Sequence, residues 1–264
     1  MNVLDNNSLF DYYQNDLKIS KYFHGLNDGL LKPYTTNGFM KSVEMWNEFS
    51  HESFEAFLND FLNKYSIEYL RKNCDKCYEK LKSKYPEKAK KITYEMLFDK
   101  LFYKLVVDCF IGHACESEIY NYLNKHFENK EYCELCAGYN YEWDVRYGID
   151  IVVYDKDKNV KKLIQVKNKT FFIFSKYSCN RVKDQLKKEK LFRLEHPECK
   201  DIPIYYYVYD KDTFLNDGKF FIFNNMIRKD NDCRFLLSDF IDNNYNVVEH
   251  DEHMFDNNDN GMYI

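Results

Sequence analysis

Apolar side chains recur at helical spacing through the first hundred residues. The first stripe follows Ser53, a suitable N-cap, and the second runs until Tyr85-Pro86, because proline breaks a helix. Thr93 begins a third helix, and a fourth covers about residues 112–127. The stripes consist of Phe54, Phe57, Leu58, Phe61, Leu62 and Tyr65; of Leu70, Cys74, Cys77 and Leu81; of Met96, Leu97, Leu101 and Leu105; and of Ile119, Leu123 and Phe127. This pattern predicts a helical N-terminal region over residues 1–109.

The apolar period changes to two after residue 130, which is typical of strands. Cys133, Leu135 and Ala137 alternate with polar residues, and segments 148–154 and 161–167 flank a polar turn, so they predict a hairpin. A charged helix over Arg181–Leu194 and strands over Ile202–Tyr209 and Phe220–Phe223 follow. The predicted fold class is α/β (α+β), with the element order α-β-β-β-α-β over residues 110–240.

The composition is that of a globular protein, with 45% hydrophobic and 31% charged residues among 264. Eight glycines and four prolines are too few for a turn-dense all-β fold. No apolar run approaches the ~18 residues of a membrane span. The first residues do not resemble a secretory signal, and nine cysteines is an odd number. We therefore expect a cytoplasmic protein with reduced thiols.

The charge is unevenly distributed along the chain. The net charge is −5, yet residues 155–200 contain fourteen Lys and Arg against six Asp and Glu. Residues 241–264 contain six acidic side chains and no Lys or Arg, which predicts an acidic C-terminal tail. The basic segment indicates contact with an anion, although a Lys-rich composition of the whole genome would produce the same pattern.

The predicted hairpin gathers polar groups on one face. Asp150, Val152 and Tyr154 share a face of the first strand, and Leu163, Gln165 and Lys167 share a face of the second. Charged and amide groups inside a protein need partners, and a divalent cation is a natural one. A solvated hairpin is the alternative. We expect neither Asp150 nor Lys167 to contribute to the packed core.

The residues Gly148-Ile149-Asp150, then fourteen residues, then Gln165-Val166-Lys167 resemble the active-site signature of the PD-(D/E)XK nuclease superfamily. The resemblance covers roughly residues 110–210 and implies a restriction-endonuclease-like αβββαβ core with a mixed central sheet. Gln165 stands where the second acid is usual, as in Gln-containing variants among Mrr-like and some type II restriction enzymes; TaqI-like enzymes are the other comparison. Because Gln165 has no charge, the number of metal ions in the site, one or two, stays open.

The resemblance also implies roles for individual residues. Mg²⁺, with Mn²⁺ able to substitute, would be held by Asp150, Gln165 and the backbone carbonyl of Val166. Lys167 would orient the attacking water and offset negative charge. A glutamate from the preceding helix would complete the site, and we favour Glu116 over Glu118 because it lies nearer the apolar stripe. The expected DNA contacts are Lys169, Lys176, Arg181, Lys183 and Lys187.

These expectations describe a Mg²⁺-dependent endodeoxyribonuclease acting on double-stranded DNA, most simply a type II restriction enzyme. Cutting both strands needs two sites, so a homodimer is expected. The alternatives are a repair or structure-selective nuclease and a non-catalytic DNA-binding protein on a decayed nuclease core. The chain contains no Walker A sequence, so a nucleotide cofactor is not expected. The pairs Cys74/Cys77 and Cys133/Cys136 lie too far apart in sequence for a zinc finger, so zinc is not expected.

Overall fold

The computed structural model describes residues 9–126, 131–139, 142–168, 176–209, 211, 215, 220–223 and 246–248. The chain divides into two compact units, an N-terminal unit of Met1–His113 and a C-terminal unit of Ala114–Ile264. Helix α8 (Asp108–His126) contains the boundary between them. Among the described residues, no helix is both long and apolar enough to cross a membrane.

The N-terminal unit consists of helices. They are α1 (Leu9–Ser20), α2 (Lys32–Thr36), α3 (Ser42–Glu48), α4 (Phe54–Lys64), α5 (Ile67–Lys84), α6 (Pro86–Ala89), α7 (Tyr94–Phe102) and the first residues of α8, with a 3₁₀ turn at Lys21–Phe23 and π turns at Asn27–Leu31 and Tyr103–Val107. The predicted caps are confirmed. The Ser53 hydroxyl accepts a hydrogen bond from the Ala56 N–H, and the Thr93 hydroxyl accepts one from Met96.

Helix α5 shows how the predicted stripes form the core of this unit. Its side chains Leu70, Cys74, Cys77 and Leu81 are all buried. The helix ends before Tyr85-Pro86, as the sequence predicts, and Pro86 begins α6. Because burial raises the pKa of both Cys74 and Cys77 to about 12, these thiols stay protonated.

The C-terminal unit combines helices and strands. They are the rest of α8, β1 (Glu131–Leu135), α9 (Cys136–Tyr139), β2 (Ile151–Asp155), β3 (Val160–Asn168), α10 (Lys176–Glu195), β4 (Ile204–Tyr209), β5 (Phe220–Phe223) and β6 (Asn246–Val248), with a π turn at Trp143–Tyr147 and a 3₁₀ turn at Pro197–Cys199. The order from α8 to β4 is α-β-β-β-α-β apart from the short helix α9 and the turns, and the α+β class is confirmed.

Within the described residues the strands form one mixed sheet in the order β1-β2-β3-β4-β5-β6. Only β3 and β4 pair in parallel, with α10 between them in sequence; the other neighbours in the described sheet are antiparallel. Two predicted details are wrong. Ala137 belongs to α9 because β1 ends at Leu135, and β2 begins at Ile151 because the chain turns at Gly148.

Helices pack on both faces of the sheet. On one face Val152, Leu163, Ile204 and Tyr206 form a core with Phe192 of α10. On the other face Tyr207 of β4 lies close to Tyr122 of α8. Of the acidic segment 241–264, only β6 lies within the described residues. The covered faces explain why the hairpin strands are largely apolar and why the polar residues on them stand out.

Candidate active site

A glycine turn fixes the start of β2. Gly148 ends the π turn with φ +70° and ψ +34°, a left-handed conformation that glycine adopts without steric cost. Its N–H donates to the Asp144 carbonyl at 2.8 Å. The Gln185 side chain of α10 lies against it, so a β-carbon at residue 148 would be 3.1 Å from Gln185 Oε1. This turn sets the position of Asp150 at the edge of the strand.

A row of polar side chains crosses three neighbouring strands. The β2–β3 register pairs Ile151 with Ile164, and the Asp150 N–H donates to the Ile164 carbonyl, so Asp150 lies opposite Gln165. The parallel β3–β4 register pairs Gln165 with Tyr206. All three side chains belong to the face that α10 covers. The predicted sharing of one face by Asp150, Gln165 and Lys167 is therefore confirmed by the register.

The Asp150 carboxylate is held by its neighbours on β3. Its Oδ2 atom accepts hydrogen bonds from the Val166 N–H at 2.5 Å and from Lys167 Nζ at 2.9 Å. Lys167 Nζ also donates to the Val166 carbonyl at 2.9 Å. The carboxylate and the carbonyl thus converge on one cationic group. The Asp150 carboxylate and the Val166 carbonyl, two of the predicted metal ligands, therefore both contact the positively charged Lys167 ammonium.

Asp150 is buried, with 6% of its surface exposed, so the expectation that it stays out of the core is wrong. Helix α10 covers this face, and Lys167 compensates the enclosed charge. Burial raises the pKa of Asp150 to about 6; Lys167 opposes this shift and the Glu116 carboxylate adds to it. Glu116 is therefore within electrostatic range of Asp150. Lys167 is itself only partly buried.

Gln165 is completely buried, and neither its Oε1 nor its Nε2 atom has a hydrogen-bond partner among the described residues. An unsatisfied buried polar group costs about 1–3 kcal/mol. An amide in this state has one carbonyl oxygen able to accept a cation and two N–H groups able to donate to an anion. Such an orphaned amide beside a buried carboxylate fits a site that binds an oxygen-seeking cation.

A second carboxylate approaches from α10. The Tyr206 hydroxyl donates to Glu189 Oε1, and burial together with the Glu189 and Asp150 charges raises the pKa of Tyr206, so it stays a donor. Sequence reasoning missed both residues. The signal was the spacing of Gln185, Glu189 and Phe192, which lie on one face of the helix at i, i+4 and i+7. Glu189 thus contacts Tyr206, the residue paired with Gln165 in the β3–β4 register.

Among the described residues, no group of three or more His, Cys, Asp or Glu is arranged to hold a metal. The candidate ligands around Asp150 differ from such a group, because an amide oxygen and a backbone carbonyl oxygen are among them. Asp150 supplies a carboxylate, Gln165 an amide oxygen that has no partner within the described residues, and Val166 a carbonyl. Glu116 is near Asp150; Glu118, the alternative, is half-buried on the same helix. The residues fit a hard divalent cation with oxygen ligands.

The expected DNA contacts lie mostly outside the described part of the chain. Lys169 is beyond the described residues, and so are the side chains of Lys176, Arg181 and Lys183, whose backbone forms part of α10. Lys187 is exposed and pairs with Asp184 at 3.0 Å. The lysines at the start of β3 are paired as well, as the Lys161–Asp155 and Lys162–Glu131 contacts show.

The two Cys-x-x-Cys pairs lie in different units. Cys74 and Cys77 are core residues of α5, whereas Cys133 is in β1 and Cys136 begins α9. None of the seven buried cysteines whose side chains the structure describes forms a disulfide. Burial raises the pKa of Cys133 to about 12 and raises the pKa of Cys136 as well, which keeps both thiols protonated.

Comparison with known protein families, with curated proteins and with solved structures found no significant match. Residues of this chain alone therefore carry the functional interpretation. They are the pair of the buried Asp150 carboxylate and the partly exposed Lys167 ammonium, the Gln165 amide with no partner among the described residues, Glu116 within electrostatic range of Asp150, and Glu189, which accepts from Tyr206.

Proposed function

We propose that the protein is a Mg²⁺-dependent endodeoxyribonuclease whose active site is built on Asp150, Gln165 and Lys167. The observation that carries the proposal is the Gln165 amide, which is fully buried and has no partner among the described residues, next to a buried carboxylate. A site kept at this cost in stability is typical of ligand binding. The resemblance of residues 148–150 and 165–167 to the PD-(D/E)XK signature supports the same chemistry.

Asp150, the Gln165 carbonyl oxygen, the Val166 carbonyl and the nearby Glu116 would hold the cation. Mg²⁺ in this place would stabilise negative charge on the phosphate oxygens and lower the pKa of the attacking water. The Val166 N–H fixes the Asp150 carboxylate. The Gln165 N–H groups are suited to donate to a phosphate oxygen.

Lys167 performs the remaining step. Its ammonium is partly exposed and contacts Asp150 and the Val166 carbonyl; once these two groups hold the cation, the ammonium would be able to orient water toward phosphorus. Water would form a new P–O bond as the bond to the leaving oxygen breaks, and a water proton would end on the leaving oxygen, so that a hydroxyl and a phosphate monoester result. The ammonium offsets the charge that develops on the phosphate. No covalent enzyme intermediate is required.

We further propose double-stranded DNA as the substrate and a type II restriction activity, in a homodimer that supplies one site to each strand. The basic segment 155–200 supports an anionic substrate. Lys169, Lys176, Arg181, Lys183 and Lys187 are the proposed contacts.

The test is incubation of plasmid and genomic DNA with the purified protein and Mg²⁺, followed by sequencing of the fragment ends. Discrete fragments with a common terminal sequence are the expected result. A smear would indicate a nonspecific or structure-selective nuclease. Binding without cleavage would contradict the enzyme and favour a non-catalytic DNA-binding protein.

A further inference from the structure

Positive charge in the N-terminal unit is concentrated in one segment. Residues 1–113 contain sixteen basic and sixteen acidic side chains, but residues 71–91 contain nine basic and three acidic ones. The remainder of the unit is therefore acidic. The basic segment covers most of α5, all of α6 and the turn that follows. A lysine-rich composition alone would not concentrate basic residues in one segment of the unit and leave the rest of the unit acidic.

Four lysines of this segment form a stripe along α5, which we call the α5 stripe: Lys72, Lys76, Lys80 and Lys84. Residues four apart lie on one side of a helix with a rise of about 6 Å, so the stripe is about 18 Å long. Among the described residues none of the four forms an ion pair. Other lysines nearby do: Lys82 pairs with Glu79 at 2.9 Å and Lys90 with Glu87 at 2.7 Å.

The α5 stripe is held in place by α2. The Tyr34 hydroxyl donates to the Lys76 carbonyl at 3.3 Å, and the Lys80 ammonium lies over the Tyr34 ring at 5.5 Å. Lys72, Lys76 and Lys84 are exposed. Ammonium groups in a row along one helix, with no ion-pair partner in the described part of the chain, raise the local positive potential, which attracts a polyanion.

We propose that the α5 stripe binds the phosphate backbone of duplex DNA. Over about 18 Å of its axis, duplex DNA carries about ten negative charges, which suits the row of ammonium groups of the α5 stripe. An anionic membrane is the less suitable partner, because insertion needs exposed apolar side chains on the same helix. Leu70, Cys74, Cys77 and Leu81 of α5 are instead buried. The inference rests on the proposed nuclease function only for the choice of DNA among polyanions.

The test measures binding of the full-length protein to a fluorescein-labelled duplex in EDTA, where no metal-dependent cleavage occurs. The stripe variant changes Lys72, Lys76, Lys80 and Lys84 to Gln, a comparable helix former. The matched control changes Lys18, Lys21, Lys32 and Lys64, which are exposed in the same unit, to Gln. A third variant replaces the stripe by four arginines and keeps its charge. Thermal unfolding verifies that each variant is folded.

We expect the stripe variant to bind about 100-fold more weakly at low salt and its slope of log K against log salt to flatten by about three to four. The control and the arginine variant should retain the wild-type slope. Equal losses in the stripe variant and the control, or an unchanged slope, would overturn the proposal. In a parallel vesicle-binding measurement, loss of the stripe variant's binding to phosphatidylserine vesicles with unchanged DNA affinity would also overturn the proposal.

The outcome separates this surface from the nuclease. Stripe-dependent binding in EDTA without cleavage in Mg²⁺ would support the surface and contradict the enzyme. Cleavage in Mg²⁺ with an unchanged salt slope in the stripe variant would contradict the surface and leave the enzyme standing.

Discussion

At the scale of single residues, two buried glutamines of the C-terminal unit offer a direct comparison. Gln185 Nε2 donates to the Tyr147 carbonyl at 3.1 Å, so its amide contributes to the fold. Gln165 is more deeply buried, and neither polar atom of its amide has a partner among the described residues. The same side chain is thus structural in one place and, in our interpretation, a ligand group in the other.

This difference predicts opposite effects on stability. Gln165→Leu should raise the free energy of unfolding of the metal-free protein by about 1–3 kcal/mol, because it removes two unsatisfied polar atoms at similar volume. Gln185→Leu should lower it by a similar amount, because the Tyr147 carbonyl loses its donor. Urea unfolding in EDTA measures both. Destabilisation by Gln165→Leu would mean that its amide has a partner, and the reason to place a ligand there would disappear.

The missing charge at residue 165 gives a second prediction. Gln165→Glu should lower the Mg²⁺ concentration for half-maximal cleavage by about tenfold, because ligand charge raises cation affinity. Gln165→Ala should raise that concentration. A titration of cleavage rate against Mg²⁺ measures both changes. If neither variant alters the Mg²⁺ requirement, Gln165 does not bind the metal.

At the scale of elements, the turn before β2 sets the position of Asp150 at the start of the strand. Gly148→Ala should lower the free energy of unfolding by about 1–2 kcal/mol from the left-handed backbone alone, and further from the contact with Gln185. Gly25 is the control, because it has φ +80° and a β-carbon added to it would meet nothing within 4 Å. Gly25→Ala should show only the backbone cost. Equal losses at both sites by denaturant unfolding would show that the Gln185 contact adds nothing.

Local signals in the sequence predict these elements well. Ser53 and Thr93 cap α4 and α7, and Pro86 separates α5 from α6. Periodicity fails where the chain turns: Ala137 continues an alternating pattern but belongs to α9, because the pattern does not contain the geometry of the turn. Helix α10 begins five residues before the predicted Arg181.

Contacts between distant elements lie beyond such reasoning. The face shared by Asp150, Gln165 and Lys167 follows from strand alternation alone. The approach of Glu189 does not, because it depends on the parallel register of β3 and β4 and on the side of the sheet that α10 covers. The burial of Asp150 has the same cause.

At the scale of the whole molecule, metal binding should be coupled to stability and pH. Because the pKa of Asp150 is raised to about 6, folded metal-free protein holds this proton more tightly than the unfolded chain. Its contribution favours folding below about pH 4 and is lost as the pH rises through about 6. A cation must displace the same proton, so Mg²⁺ should stabilise the protein above that range and much less below it.

Thermal unfolding with and without Mg²⁺ measures this coupling. At a Mg²⁺ concentration about ten times its Kd, stabilisation is about 1.4 kcal/mol, or a Tm rise of about 3–5 °C, near pH 8. Near pH 5 the rise should largely disappear. Asp150→Asn should abolish it at both values. A Tm rise of the same size in Asp150→Asn would place the metal elsewhere.

The most direct test of the proposed active site compares two lysines of the same strand. Lys167 pairs with the buried Asp150, whereas the exposed Lys161 pairs with Asp155 at the end of β2. Wild type, Lys167→Ala and Lys161→Ala, purified identically, are incubated with plasmid DNA in Mg²⁺ or EDTA. We predict Mg²⁺-dependent cleavage that Lys167→Ala slows by about 100-fold or more and Lys161→Ala leaves close to wild type. Cleavage by Lys167→Ala at the wild-type rate, or no cleavage by wild type, would contradict the proposed site.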